Sequence, residues 1–143
     1  MVRKAKYSDA HAIKGLVRKA WALTPYGHLP ISDVKLSRTV HEYLTHQRSR
    51  IWVSEIDGEV KGMLAGSVGQ LEVSECLGAT DSIFYCRTGE GPELIQRYVK
   101  WAKNQGAEVV GMCVSSGNKY ADKLISSSGF KRAGGNFYWS DDE

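Results

Sequence analysis

The most specific chemistry in the sequence lies in six consecutive residues, Cys86-Arg87-Thr88-Gly89-Glu90-Gly91, with Pro92 next. Paired glycines let a backbone approach an anion with no Cβ in the way. The free N–H groups at a helix start, with the positive end of its dipole, then bind phosphate. An ordinary strand-to-helix connection also asks for glycine. Phosphate binding is the preferred reading, because an apolar strand precedes the turn and an amphipathic helix follows it. Arg87 reads equally as a phosphate ligand or a solvated side chain. Cys86 beside that charge has the setting of a thiolate nucleophile, but it has no evident histidine partner, and a packed cysteine at a strand end is preferred. Carboxylates on strands are the usual proton acceptors in general-base chemistry. Glu55, Glu72, Glu75 and Asp81 are the candidates, and nothing in the sequence separates them from surface charges.

Metal chemistry is not expected. The four histidines (His11, His28, His41, His46) lack zinc-protease spacing, and Cys76, Cys86 and Cys113 form no CxxC pair. The odd cysteine count gives no disulfide framework and suits a reduced cytoplasm. With 143 residues and 42% apolar content, the chain is long enough for one domain with its own core, spanning 1–143. No apolar run reaches membrane-span length, and Met1 to Tyr7 lacks the apolar stretch of a secretion signal. Residues 1–50 carry ten Lys/Arg against three Asp/Glu, and residues 51–143 nine against thirteen, so +7 and −4 make up the net +3. The basic half reads as solvated helix surface rather than a nucleic-acid face, since no aromatic interleaving or nucleic-acid motif accompanies it.

The elements that must position the turn follow from periodicity. Val2 to Tyr7 predicts a strand, after which Ser8 and Asp9 cap a helix with Ile13, Leu16, Val17, Ala20 and Trp21 on its apolar face. Thr24 to Pro30 breaks it, and Ser32 caps a second helix carrying Val34, Leu36, Val40, Tyr43 and Leu44. Ile51–Ile56 and Glu59–Val68 predict a hairpin closed by Asp57-Gly58. Residues 69–81 either extend that hairpin or form a loop, and Ser82–Cys86 returns to strand. A helix from Pro92 buries Leu94, Ile95, Tyr98, Trp101 and Ala102 and ends at Gly106. Val109–Val114 predicts a strand covered on both faces. A helix over 118–128 is capped by Gly129, and Phe130–Ala133 with Phe137–Ser140 predicts a closing hairpin across Gly134-Gly135. The order β-α-α-β-β-β-α-β-α-β-β implies an α/β or α+β class around one mixed sheet.

This order, with the residues at its joints, resembles the GNAT superfamily of acyl-CoA-dependent N-acyltransferases over essentially the whole chain. Val2-Arg3-Lys4-Ala5 with Asp9-Ala10 is similar to the family's opening, and Trp52-Val53 through Gly62 to its central hairpin. Asn118, Ala121, Leu124 and Gly129-Phe130 stand at the spacing of its C-terminal motif. The segment Cys86 to Gly91 occupies the place of the cofactor motif, where Cys86 replaces a Gln or Arg and Glu90 adds a negative charge expected to weaken pyrophosphate binding. The position of the family's tyrosine acid is Ile125, and Tyr120 lies on another face of that helix.

The resemblance implies acetyl-CoA as cosubstrate, held by Phe84, Cys86, Arg87, Thr88, Gly89, Glu90, Gly91, Pro92 and Asn118. It also implies transfer of acetyl to a small-molecule or protein amine, with Glu72 as first candidate base if the third strand extends that far. Tyr26 or His28 would shape acceptor choice. The departures leave a second expectation, an inactive GNAT-like domain of bacteriophage type with protein partners in an assembly.

Overall fold

The computed structural model describes residues 1–114 and 118–141. Five strands, β1 (Val2–Lys4), β2 (Ser49–Ile56), β3 (Glu59–Gln70), β4 (Leu77–Cys86) and β5 (Ala107–Gly111), form one sheet in sequence order, antiparallel except for the parallel β4–β5 pair. Helices α1 (Ala10–Ala22) and α2 (Asp33–Thr45) connect β1 to β2, α3 (Gly91–Asn104) connects β4 to β5, and α4 (Lys119–Ser127) follows β5. A short 3-10 turn over Tyr7–Asp9 leads into α1.

Alternation along the strands sorts the side chains into two apolar layers. Ile51, Val53, Met63 and Ala65 face Ile13 and Leu16 of α1 and Leu36 and Val40 of α2. Trp52, Leu64, Val68 and Ala79 face Leu94, Ile95, Tyr98, Trp101 and Ala102 of α3 and Ile125 of α4. The Trp52 ring meets Trp101 edge-on with centroids 5.4 Å apart, and Arg50 lies over the Trp101 ring. Such crossed aromatic contacts add to area burial in seating α3 on the sheet.

Several predicted joints are present. Asp57 (φ 53°) and Gly58 (φ 78°) close the β2–β3 hairpin in the left-handed conformations its two-residue turn requires. Ser32 accepts a hydrogen bond from the Lys35 N–H at the start of α2, and Gly129 (φ 94°) ends α4. Residues 69–81 resolve into both readings at once: β3 runs on to Gln70, a turn follows, and β4 begins at Leu77.

Other expectations need correction. The Asp9 carboxylate does not cap α1; it accepts from the Lys6 N–H and pairs with Arg3, a stronger partner than a helix N–H. β5 is shorter and earlier than the predicted strand, and as the sheet edge it leaves Val109 exposed rather than covered on both faces. The described residues from Phe130 onward form no strands, so the closing hairpin is absent, and Phe137 and Trp139 are exposed to solvent rather than packed in a sheet.

Candidate active site

The β4–β5 pairing runs from Leu77/Ala107 only to Thr80/Gly111. Beyond that point the two strands part, and β4 continues through Ser82 to Cys86 paired on its β3 side alone. A bulge accompanies the parting: Gly66 pairs with Asp81 but Ala65 with Ile83, leaving Ser82 as the extra residue. Bulges bend a strand and increase its twist, which turns the end of β4 away from β5. The Cys86–Gly91 turn lies at the end of that free segment and opens α3.

Within the turn the two glycines do different jobs. Gly89 has φ +84°, and a Cβ there would meet no heavy atom within 4 Å, so its outer side is open. The N–H groups of Thr88 and Gly89 find no acceptor among the described residues, as a phosphate cradle requires. Gly91 is a packing glycine: a Cβ there would come within 2.8 Å of the Leu124 side chain and 3.4 Å of the Phe84 ring. Leu124 and Phe130 of the predicted C-terminal motif therefore act by packing, since both lie against the core under α3.

Beneath the turn lies a polar cluster that sequence reasoning missed. Ser54 of β2, Gly62 of β3 and Cys86 of β4 sit side by side across the sheet. Ser54 is fully buried, and its hydroxyl reaches Thr88 Oγ1 at 2.7 Å and Glu90 Oε1 at 2.5 Å. Thr88 Oγ1 also contacts Cys86 Sγ at 3.2 Å and accepts from the Glu90 N–H. The sequence signal was a lone hydroxyl on the same strand face as Trp52.

This cluster changes how Cys86 and Glu90 read. The Cys86 side chain turns inward, leaving only its backbone near the open side. The Glu90 carboxylate is also directed inward, accepting from Ser54 and from the Met1 ammonium at 2.9 Å. The Ser54 hydrogen bond, then that ammonium, hold its carboxyl below the usual range. The Glu90 charge thus faces Ser54 and the Met1 ammonium rather than the open side of the turn. Arg87 is exposed, its guanidinium 5.5 Å from the Tyr85 ring centroid. Pro92 occupies the first turn of α3, and Asn118 caps α4 by accepting from the Tyr120 N–H at 2.9 Å. Ile125 is in the core, and Tyr120 is exposed.

The four candidate carboxylates separate. Glu72 lies beyond the end of β3 in the exposed turn before β4, so it does not reach the sheet centre on which its candidacy depended; Glu75 is in the same turn. Glu55 pairs with Arg3. Asp81 stands where β4 and β5 part, accepting from the Cys113 N–H at 3.0 Å, and burial pushes its carboxyl up to about 6. Cys113 in turn lines a cleft of about 600 Å³ walled by Tyr26, Phe137 and Tyr138, with the Asp122–Arg132 pair (3.0 Å) and Lys119 at its side. Tyr26 is held by stacking on Trp21, whereas His28 is not among the lining residues. Among the described residues, no group of three or more His, Cys, Asp or Glu could hold a metal ion, and no helix is long and apolar enough to cross a membrane.

A mixed sheet whose parallel pair parts beside a glycine turn opening a helix is the architecture of the GNAT acetyltransferases. The chain belongs to the acetyltransferase (GNAT) family, whose model matches residues 16–130. Among solved structures, AAC(6')-Iy in complex with the bisubstrate analog CoA-S-monomethyl-acetylneamine has a TM-score of 0.78 at 17% identity, covering 99% of this chain and 97% of that one. The aminoglycoside acetyltransferase meta-AAC0020 from an uncultured soil metagenomic sample, in complex with sisomicin, has a TM-score of 0.73 at 18% identity, with 98% and 95% covered. A transcriptional regulator from Bacillus halodurans C-125 has a TM-score of 0.76 at 17% identity, with 98% of each chain covered. At these identities the likeness is one of fold. No curated protein matches the sequence.

Proposed function

We propose that this protein is an N-acetyltransferase that moves the acetyl group of acetyl-CoA to a small-molecule amine. The observation that carries the reading is the parting of β4 from β5 beside a turn whose Thr88 and Gly89 N–H groups are unspent. The turn from Arg87 to Pro92 and the start of α3 receive the pyrophosphate, with Arg87 free to swing onto it. The thioester arm lies along the unpaired side of β4, where backbone N–H groups polarise the carbonyl.

The acceptor occupies the cleft walled by Tyr26, Phe137 and Tyr138. Its nitrogen attacks the thioester carbon, forming the C–N bond as the C–S bond breaks. Asp81 takes the role first considered for Glu72 and removes the proton from nitrogen, directly or through a water, and CoA leaves as thiolate. Neither Ile125 nor the exposed Tyr120 supplies a leaving-group acid, so the thiolate departs unaided. Positioning of the two substrates carries most of the rate.

The test combines calorimetry with acetyl-CoA and thiol release across a panel of amines that includes aminoglycosides. Saturable binding in the micromolar-to-millimolar range common for enzyme substrates, with thiol release dependent on an amine, is expected. No heat at millimolar acetyl-CoA and no thiol release would leave the inactive assembly module as the better reading.

A further inference from the structure

Donor bookkeeping in the cluster beneath the turn has a single solution. Ser54 owns one hydroxyl proton, which it donates to the Glu90 carboxylate at 2.5 Å. The 2.7 Å contact with Thr88 then requires Thr88 to donate to Ser54 Oγ. With its own proton spent, Thr88 Oγ1 can only accept, and it does so from the Glu90 N–H at 3.3 Å and the Cys86 S–H at 3.2 Å. The hydrogen bonds run in one direction, from Cys86 through Thr88 and Ser54, and end on the carboxylate. Space for this chain exists because Gly62 stands between Ser54 and Cys86: a Cβ there would come within 3.1 Å of the Cys86 sulfur and 3.2 Å of the Ser54 Cβ.

We propose that Ser54 is a positioning residue for the pyrophosphate: from the floor of the sheet it holds Thr88 and Glu90 inward, so that the turn presents N–H groups and not a carboxylate to the cofactor. The proposal rests on the reading of the turn as a cofactor cradle. It assigns a role to a strand residue that touches neither substrate. Without the Ser54 hydroxyl the Glu90 carboxylate keeps the Met1 ammonium, an exposed partner weakened by solvent, and is freed to rotate toward the open side, where its charge opposes the incoming phosphates.

The experiment compares two acetyl donors, acetyl-CoA and S-acetylpantetheine, the second of which lacks the pyrophosphate. Ser54→Ala removes the two hydrogen bonds that tie the turn to the sheet and is expected to raise the KM for acetyl-CoA about tenfold. Its kcat, and both constants with S-acetylpantetheine, should stay within about twofold of wild type, because that donor makes no use of the turn. Thr88→Val, a change on the turn itself, should raise the KM for acetyl-CoA as well, and Thr88→Ser should restore the wild-type value. The threonine pair keeps the test valid if Ser54→Ala proves poorly folded. An equal loss with both donors, or an unchanged KM for acetyl-CoA in Ser54→Ala and Thr88→Val, overturns the proposal. Calorimetry separates the two levels: wild-type protein that fails to bind CoA removes the cradle reading and the proposal with it. CoA binding that is tight in wild type and equally tight in Ser54→Ala removes the proposal alone.

Discussion

Asp81 puts stability and activity in opposition within one side chain. Its carboxyl is raised to about 6 by burial, which the hydrogen bonds from the Cys113 N–H and its own backbone N–H offset in part. A carboxyl whose folded value lies above its ordinary 3.8 favours the fold while protonated, and that contribution is lost as pH rises through about 6. Asp81→Asn keeps an oxygen for Cys113 and never ionises. At pH 8 it is expected to be more stable than wild type, on the order of 2 kcal/mol by denaturant midpoint. The same change should lower kcat on the order of 100-fold or more, as for loss of a general base. In wild type, kcat/KM should fall as pH drops through about 6 as Asp81 takes up its proton. An Asp81→Asn enzyme with wild-type turnover, or a wild-type profile flat from pH 5 to 8, would send the search for a base elsewhere. Asp81 was among the residues readable as candidates from sequence. What the sequence could not supply was the bulge at Ser82 and the parting of the strands that make this carboxylate differ from Glu72 and Glu75.

At the scale of elements, two glycines with left-handed backbones make a matched pair of tests. Gly89→Ala and Gly58→Ala each force a Cβ into positive φ, at a cost of about 1–2 kcal/mol. Both should therefore lower the melting temperature by similar amounts. Only Gly89→Ala should weaken acetyl-CoA, since Gly58 belongs to the β2–β3 hairpin and not to the Cys86–Gly91 turn. Equal effects of the two on cofactor affinity would argue against the cradle. The legible parts of the fold were those set by local chemistry: the Asp57-Gly58 turn, the Ser32 cap, the apolar face of α3 and the end of α4 at Gly129. The less legible parts depend on partners distant in the chain. β5 looked like a central strand because Val109 and Val110 are apolar, yet it is an edge. Residues 130–140 carry strand-forming aromatics around Gly134-Gly135 but form no strand. The inward direction of Glu90 depended on Ser54, 36 residues away.

For the molecule as a whole, the sheet separates two apolar layers that share no member. Leu64→Ala on the α3 side and Ile13→Ala on the α1–α2 side should each cost about 2–5 kcal/mol. Because the two sites lie in separate clusters, the double variant should show nearly the sum, measured by chemical denaturation. A large departure from additivity would mean that the layers are coupled through the sheet. The layers also divide function: the turn, α3 and α4 rest on one layer, so Leu64→Ala should weaken acetyl-CoA binding more than Ile13→Ala does.

The crossed indoles of that layer carry an optical consequence. Trp52 sits on β2, two residues from Ser54, and Trp101 rides on α3, whose first residue closes the cofactor turn. At 5.4 Å and an interplanar angle of 73°, their electronic transitions couple, and the coupling depends steeply on how α3 lies over the sheet. Near-ultraviolet circular dichroism of the wild-type protein thus offers an intrinsic gauge of α3. It needs no label, no acceptor and no turnover, and Trp101→Phe, which leaves Trp52 as the lone chromophore of the pair, would identify the signal.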